Sequence, residues 1–179
     1  TSSSNAYGIY NNEGRIEMSG GTIEISSRDA AYGISNNSGN ILINGGSIIS
    51  KNTGSYVYAS SYAITNNSNG ELIIDGGTIE SSAQENSYSI QNSGNLYIYK
   101  GDISSTCNSK YQSYGISNTG ILTLGKNDGT INVSEPNILS TGSSVSSAIK
   151  NTGTFNFYDG KISGPITITG NITEVAPGY

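Results

Sequence analysis

Polar and apolar residues alternate along this chain in short runs, and the runs recur. One string of residues is spelled six times: Tyr-small-Ile-x-Asn, a turn, Gly-x-apolar-x-apolar, a second turn ending in Gly, then x-Ile. The copies begin at Tyr7, Tyr32, Tyr62, Tyr88, Tyr114 and, with Ser in place of Tyr, at Ser147. Their starts are 25, 30, 26, 26 and 33 residues apart. A unit of this length cannot bury its own apolar face, so it must stack on its neighbours. Period-two alternation punctuated by Gly and Asn predicts strands. No stretch carries an i, i+3, i+4 apolar pattern long enough for a helix.

Aligned by columns, the repeats are nearly invariant. The first Ile recurs at Ile9, Ile34, Ile64, Ile90, Ile116 and Ile149, and two residues on stand Asn11, Asn36, Asn66, Asn92, Asn118 and Asn151. A turn glycine (Gly14, Gly39, Gly70, Gly94, Gly120, Gly153) precedes two apolar columns, which run from Ile16 and Met18 to Phe155 and Phe157. A second glycine column (Gly21, Gly46, Gly77, Gly101, Gly129, Gly160) leads to the last Ile, at Ile23, Ile48, Ile79, Ile103, Ile131 and Ile162. Three short strands per repeat, with Ile, Asn and Gly in vertical register, predict an all-β fold. It is a single-stranded parallel β-helix, a β-solenoid of about six coils rising about 4.8 Å each, or roughly 30 Å in all. Parallel connections favour the right-handed form.

Each column has an expected place. Asn and Tyr share strand parity with the buried Ile, which predicts an inward amide ladder and an aromatic stack closing one corner of the core. The small column between Tyr and Ile (Gly8, Gly33, Ala63, Ser89, Gly115, Ala148) is then outward and leaves a shallow trough. Residues 1–164 form the repeats. Residues 165–179 lack the repeat string and read as a final partial coil or cap, followed by an exit linker. Two longer segments, Ser50–Ser61 with Tyr56 and Tyr58, and Ser134–Ser147 with Pro136, read as projecting loops.

Composition narrows the function. Only 12% of the 179 residues are charged, and the net charge is −5. The eight basic residues are scattered, which argues against nucleic acid. No apolar run approaches a membrane span, so no membrane insertion is expected. The single Cys, Cys107, cannot form an internal disulfide and has no basic cluster to activate it.

Stretches such as Gly20-Gly21-Thr22-Ile23, Asn44-Gly45-Gly46-Ser47-Ile48 and Asp75-Gly76-Gly77-Thr78-Ile79, each leading to Tyr-Gly/Ala-Ile-x-Asn, resemble the β-helical repeats of large cell-surface, adhesin-like proteins of Gram-positive bacteria. The resemblance covers residues 6 to about 164. It implies an extracellular, secreted, non-catalytic rod. Its partners would be glycans, host or neighbouring cell-surface proteins, and further domains of the same polypeptide. The fourth and fifth repeats depart from it at the Gly-Gly pair.

Other classes are weighed against this. Pectate-lyase-like enzymes and carbohydrate-binding modules share the β-helix, so the fold leaves them open. Their chemistry needs paired carboxylates or carboxylate-held calcium. Glu71, Asp75, Glu80 and Asp102 do not pair in sequence, and the chain has no His. No catalytic residue, metal site or cofactor is expected. An ice-binding solenoid would carry a regular outward Thr row, but here the row reads Thr22, Ser47, Thr78, Asp102, Thr130, Lys161. The candidate binding site is the second-sheet surface around Tyr97, Tyr99 and Asp75, where exposed rings could stack on sugars.

Overall fold

A computed structural model describes residues 4–54, 59–108, 111–129, 135–142 and 145–175. Among these residues there is no helix. The first repeat supplies β1 (Ala6–Asn11), β2 (Arg15–Met18) and β3 (Thr22–Ser27). The second supplies β4 (Ala30–Ile43), which continues through the first turn, and β5 (Ser47–Asn52). The third is one long strand, β6 (Ser60–Ala83). The fourth gives β7 (Asn86–Asn92) and β8 (Asn95–Cys107). The fifth gives β9 (Gln112–Asn118), β10 (Ile121–Leu124) and β11 (Asn137–Thr141). The sixth gives β12 (Val145–Asn151), β13 (Thr154–Phe157) and β14 (Lys161–Ser163). β15 (Ile166–Ile168) and β16 (Asn171–Val175) follow.

All the pairings are parallel, and they join like positions of successive repeats. Tyr7, Tyr32, Tyr62, Tyr88, Tyr114 and Ser147 lie on consecutive rungs, as do the first Ile and the Asn of each repeat. This is a β-solenoid-like stack. Its core is the set of apolar columns: Ile34, Ile64, Ile90, Ile116 and Ile149 are fully buried, and so are Ile43, Leu72, Ile74, Leu96, Ile98, Leu122 and Leu124. Each such side chain contributes about 1.5–3 kcal/mol of burial. Toward the two ends Ile9, Ile16, Ile23, Phe157, Ile162 and Ile168 are only partly covered.

Both glycine columns approach the rung below closely, and the second adds a backbone requirement. In the first, a side chain would strike the rung below: a Cβ on Gly94 would lie 2.3 Å from the Gly70 carbonyl oxygen. In the second, the backbone itself is left-handed, with φ of 89° at Gly46 and 92° at Gly77.

The small column points inward, not outward. Ala63, Ser89 and Ala148 are fully buried. A Cβ on Gly8 or Gly33 would come 2.9 or 2.7 Å from the Cγ2 of Ile23 or Ile48, across the core. Ala31, Gly33 and Ile34 are all buried, with Tyr32 half-exposed between the first two. Alternation therefore breaks at a bend between Gly33 and Ile34. Parity counted back from Ile across that bend puts Tyr inside and the small residue outside; the bend reverses both.

The fifth repeat also departs from expectation. Ile131 and Thr130 lie outside the described residues. The rung between Ile103 and Ile162 is occupied by Ile138. The segment Ser134–Ser147 thus contains a core strand, β11, and is not simply a projecting loop. Pro136 stands where other repeats have their second glycine. Its carbonyl accepts Lys161 N–H at 2.7 Å, as the Gly21 and Gly46 carbonyls accept Ser47 and Thr78 N–H at 2.9 Å. Gly129 belongs to the turn before it. Tyr56 and Tyr58 lie outside the described residues.

After the sixth repeat, β15 pairs with β12 and β16 with β13. Ile168 there takes the rung above Asn151. Residues 176–179 lie outside the described residues.

Candidate functional site

Most interior polar groups are used in stacking. Each ladder Asn donates from Nδ2 to Oδ1 of the next, at 2.8 Å for Asn11–Asn36, Asn36–Asn66 and Asn66–Asn92, 2.7 Å for Asn92–Asn118 and 2.6 Å for Asn118–Asn151. The remaining amide hydrogen goes to backbone carbonyls of the turn, such as Gly94 at 2.9 Å from Asn92. A second polar ladder was not anticipated from the sequence. Ser50 and Ser61, then Ser81, Ser87, Ser89, Ser105, Ser113 and Ser140, are buried and bond to one another. Examples are Ser81–Ser87 at 2.7 Å, Ser105–Ser113 at 3.0 Å and Ser140–Ser113 at 3.0 Å. The signal was present as an Ile-x-Ser motif, at Ile48-x-Ser50, Ile79-x-Ser81, Ile103-x-Ser105 and Ile138-x-Ser140.

The tyrosine column forms a stack on the outer side of the bend. Ring centroids are 4.6, 5.0 and 4.9 Å apart from Tyr7 through Tyr88, with planes within 11° of parallel. Tyr114 tilts away by 56°, and Lys150 Nζ lies 5.1 Å from its ring centroid. Burial, reinforced by neighbouring phenols, raises the Tyr32 and Tyr88 hydroxyls above the usual 10.0; burial also raises Tyr62, against a lowering hydrogen bond with Ser60. Because inner ring faces cover one another, the stack offers ring edges to solvent and not a platform for a flat ligand.

The second-sheet surface differs. Glu71, Ile73 and Asp75 leave β6 on the outward side. Asn95, Tyr97 and Tyr99 leave β8 one rung on, with Ile73 opposite Tyr97. A register shift beyond Ile74 sets Asp75 opposite Lys100. The Tyr97 and Tyr99 centroids are 6.4 Å apart, with planes inclined at 33°. Lys126, on the turn after β10, completes the group: its Nζ lies 5.0 Å from the Tyr99 centroid and 3.9 Å from Asp75 Oδ2. Nothing in the sequence marks Lys126, because a turn residue carries no column to align it. The other Asp75 oxygen, Oδ1, is buried without a hydrogen-bond partner. Burial raises the Tyr99 hydroxyl, and Tyr97, Asp75 and Glu71 add to the shift. Candidate residues Tyr97, Tyr99 and Asp75 are therefore brought together, with one Tyr99 face occupied by a cation.

Beside this group a shallow concavity of about 300 Å³ is lined by Arg15, Asn40, Ile41, Leu42, Glu71 and Ile73. Its polar wall is internally paired: Arg15 with Glu17 at 2.9 Å, and Asn40 Nδ2 donating to Glu71 Oε1 at 3.3 Å.

Glu71 and Asp75 stand four residues apart on one strand, a backbone separation of about 13 Å. Asp102 lies on the third-strand rung above Thr78 and accepts from Asn137 Nδ2 at 3.1 Å. Among the described residues no three Cys, His, Asp or Glu side chains converge as a metal site. Cys107 is buried at the end of β8, its Sγ 2.6 Å from the Glu85 carbonyl oxygen.

No protein-family model matches the chain, and no curated protein or solved structure matches it either.

Proposed function

We propose that this chain is a non-catalytic extracellular rod of a bacterial surface protein. In this reading it is a right-handed parallel β-helix of about six coils with three short strands each. It spaces other domains from the cell and presents a glycan-contacting face on its second sheet, around Tyr97, Tyr99 and Asp75. One observation carries the proposal. Interior polar side chains are largely committed to ladders, whereas Tyr97, Tyr99, Lys126 and Asp75 gather outward on one face with half-exposed rings, a cation and a carboxylate together. In this reading the face binds and does not cleave. Weak contacts on such a face gain avidity when many copies act together.

The test is incubation with pectin, xylan and host glycans, with product analysis and binding measured on the same samples. Binding without cleavage is expected, and it should disappear in the Tyr97→Ala, Tyr99→Ala double variant. Turnover that vanishes on Asp75→Asn or Asp102→Asn would overturn the non-catalytic reading. Glycan binding unchanged in the double variant would overturn the site.

A further inference from the structure

We infer that the outward column Leu42–Ile73–Tyr97 is a track for a neutral, β-linked pyranose chain lying along the rod axis. This rests on the glycan-contacting reading above and gives it a ligand class. The three side chains occupy successive rungs, Leu42 opposite Ile73 and Ile73 opposite Tyr97, and each is half-exposed. Rungs are about 4.8 Å apart, close to the length of one sugar ring in an extended chain. The column ends at Thr123, which is buried and accepts from Asn156 Nδ2 at 3.1 Å.

Polar residues line both sides of the column. Asn40, Glu71 and Asn95 stand two residues before it on their strands, and Asn44, Asp75 and Tyr99 two residues after it. An apolar strip between two polar borders matches a β-linked pyranose ribbon, which turns C–H faces one way and carries equatorial hydroxyls along its edges. The concavity over Leu42 and Ile73 provides depth at one end, and the Tyr97 ring provides a stacking surface at the other.

Two competing occupants fit less well. A peptide strand binds by adding to a sheet edge, but the backbone of this central face is already paired on both sides, β6 lying between β4 and β8. An anionic polymer meets no cluster of free cations. Arg15 and Lys126 are paired with Glu17 and Asp75, and Glu71 offsets the remaining cation beside the column, Lys100. The geometry also separates the two tyrosines: Lys126 occupies a face of Tyr99, so Tyr97 makes the main ring contact.

Native gel electrophoresis through three polymers tests this: hydroxyethyl cellulose (neutral, β-linked), soluble amylose (neutral, α-linked, coiled) and polygalacturonate (anionic). Retardation is expected in the first alone. The Ile73→Ser, Tyr97→Ala variant should weaken it about tenfold or more, while Tyr10→Ala, which removes an exposed ring on β1 away from the column, should stay within about twofold. Both substitutions are at half-exposed positions, and circular dichroism of each variant confirms that it is folded. Stronger retardation in amylose or polygalacturonate overturns the track, as does undiminished binding by the double variant. No retardation in any gel also overturns it. If a glycan array then still shows binding that Tyr97→Ala with Tyr99→Ala removes, the broader reading survives; if the array is blank, both fall.

Discussion

Replacing Asn92 by Ala removes one rung from the middle of the amide ladder. Asn92 is fully buried and has four hydrogen-bond partners. It accepts from Asn66 Nδ2 at 2.8 Å, and its two amide hydrogens are shared among Asn118 Oδ1 at 2.7 Å, Gly94 O at 2.9 Å and Ile121 O at 3.0 Å. Some partners have alternatives: Asn66 Nδ2 still reaches Gly70 O and Asn95 O, and Gly94 O still accepts Ile121 N–H. Asn118 Oδ1 loses the donor Asn92 supplied. An unsatisfied buried group costs about 1–3 kcal/mol, so the loss should be about 1–3 kcal/mol. Urea unfolding followed by far-UV circular dichroism reads this as a midpoint lowered by about 0.5–1.5 M, with m unchanged. The control is Asn67→Ala. Asn67 also bonds to a neighbour, Asn37 Oδ1 at 3.1 Å, but on the exposed side of the turn, so the cost should stay within about 0.5 kcal/mol. Asn92→Asp should be worse than Asn92→Ala at neutral pH, since it buries a carboxylate against two carbonyl oxygens. Its folded pKa would lie above the unfolded value of about 3.9, so its deficit should shrink as pH falls toward that value. Equal, small costs for Asn92→Ala and Asn67→Ala would refute the reasoning, because the ladder would then not be a buried network.

Ile64→Asp or Ile79→Asp should abolish the cooperative transition, since an unpaired charge would replace a fully buried side chain; a folded variant would contradict the stacking. Raised hydroxyl pKa values at Tyr32, Tyr62 and Tyr88 mean that the folded state holds these protons more tightly than the unfolded state. Their contribution is therefore complete below about pH 10 and lost as pH rises through the folded values. Spectrophotometric titration should show a late-ionising tyrosine class together with falling stability above pH 10, and a single class near 10 would refute this. Gly77→Ala should cost more than Gly21→Ala. Both have positive φ, but only at Gly77 would the new Cβ meet backbone, 2.8 Å from Gly46 O, while Gly21 has open space; denaturant midpoints in the reverse order would refute the close-approach argument.

What the sequence carried was whatever repeats. Ile34, Asn36 and Leu72 recur because their neighbours above and below have the same shape, so column purity reports stacking directly. Three things escaped for physical reasons. Parity counted from Ile34 back to Tyr32 passes through Gly33, and small residues permit the bend that breaks alternation there. In the fifth repeat, alignment on Gly129-x-Ile131 followed spacing, whereas the strand follows its inward pair, Ile138 and Ser140, each matched to Ile103 and Ser105. Ser105 and its partners carry no mark of burial in the sequence, because a hydroxyl is buried only when another repeat brings it a partner. At the candidate site, Tyr97 and Tyr99 were legible as outward positions of one strand. Lys126 was not, since its place over Tyr99 depends on how a non-repeating turn folds back.

The central claim is that like positions of successive repeats lie on adjacent rungs, and cysteine pairing tests it most directly. Ser35 and Thr65 are register partners 30 residues apart in sequence, with side-chain oxygens 3.1 Å apart; Gln91 lies one rung further. In a Cys107→Ser background, Ser35→Cys with Thr65→Cys should oxidise readily, because neighbouring rungs place the Cα atoms about 4.8 Å apart, within disulfide reach. Ser35→Cys with Gln91→Cys, at about twice that distance, should stay reduced. A disulfide in the second pair and not in the first would contradict the stacked register on which the whole account stands.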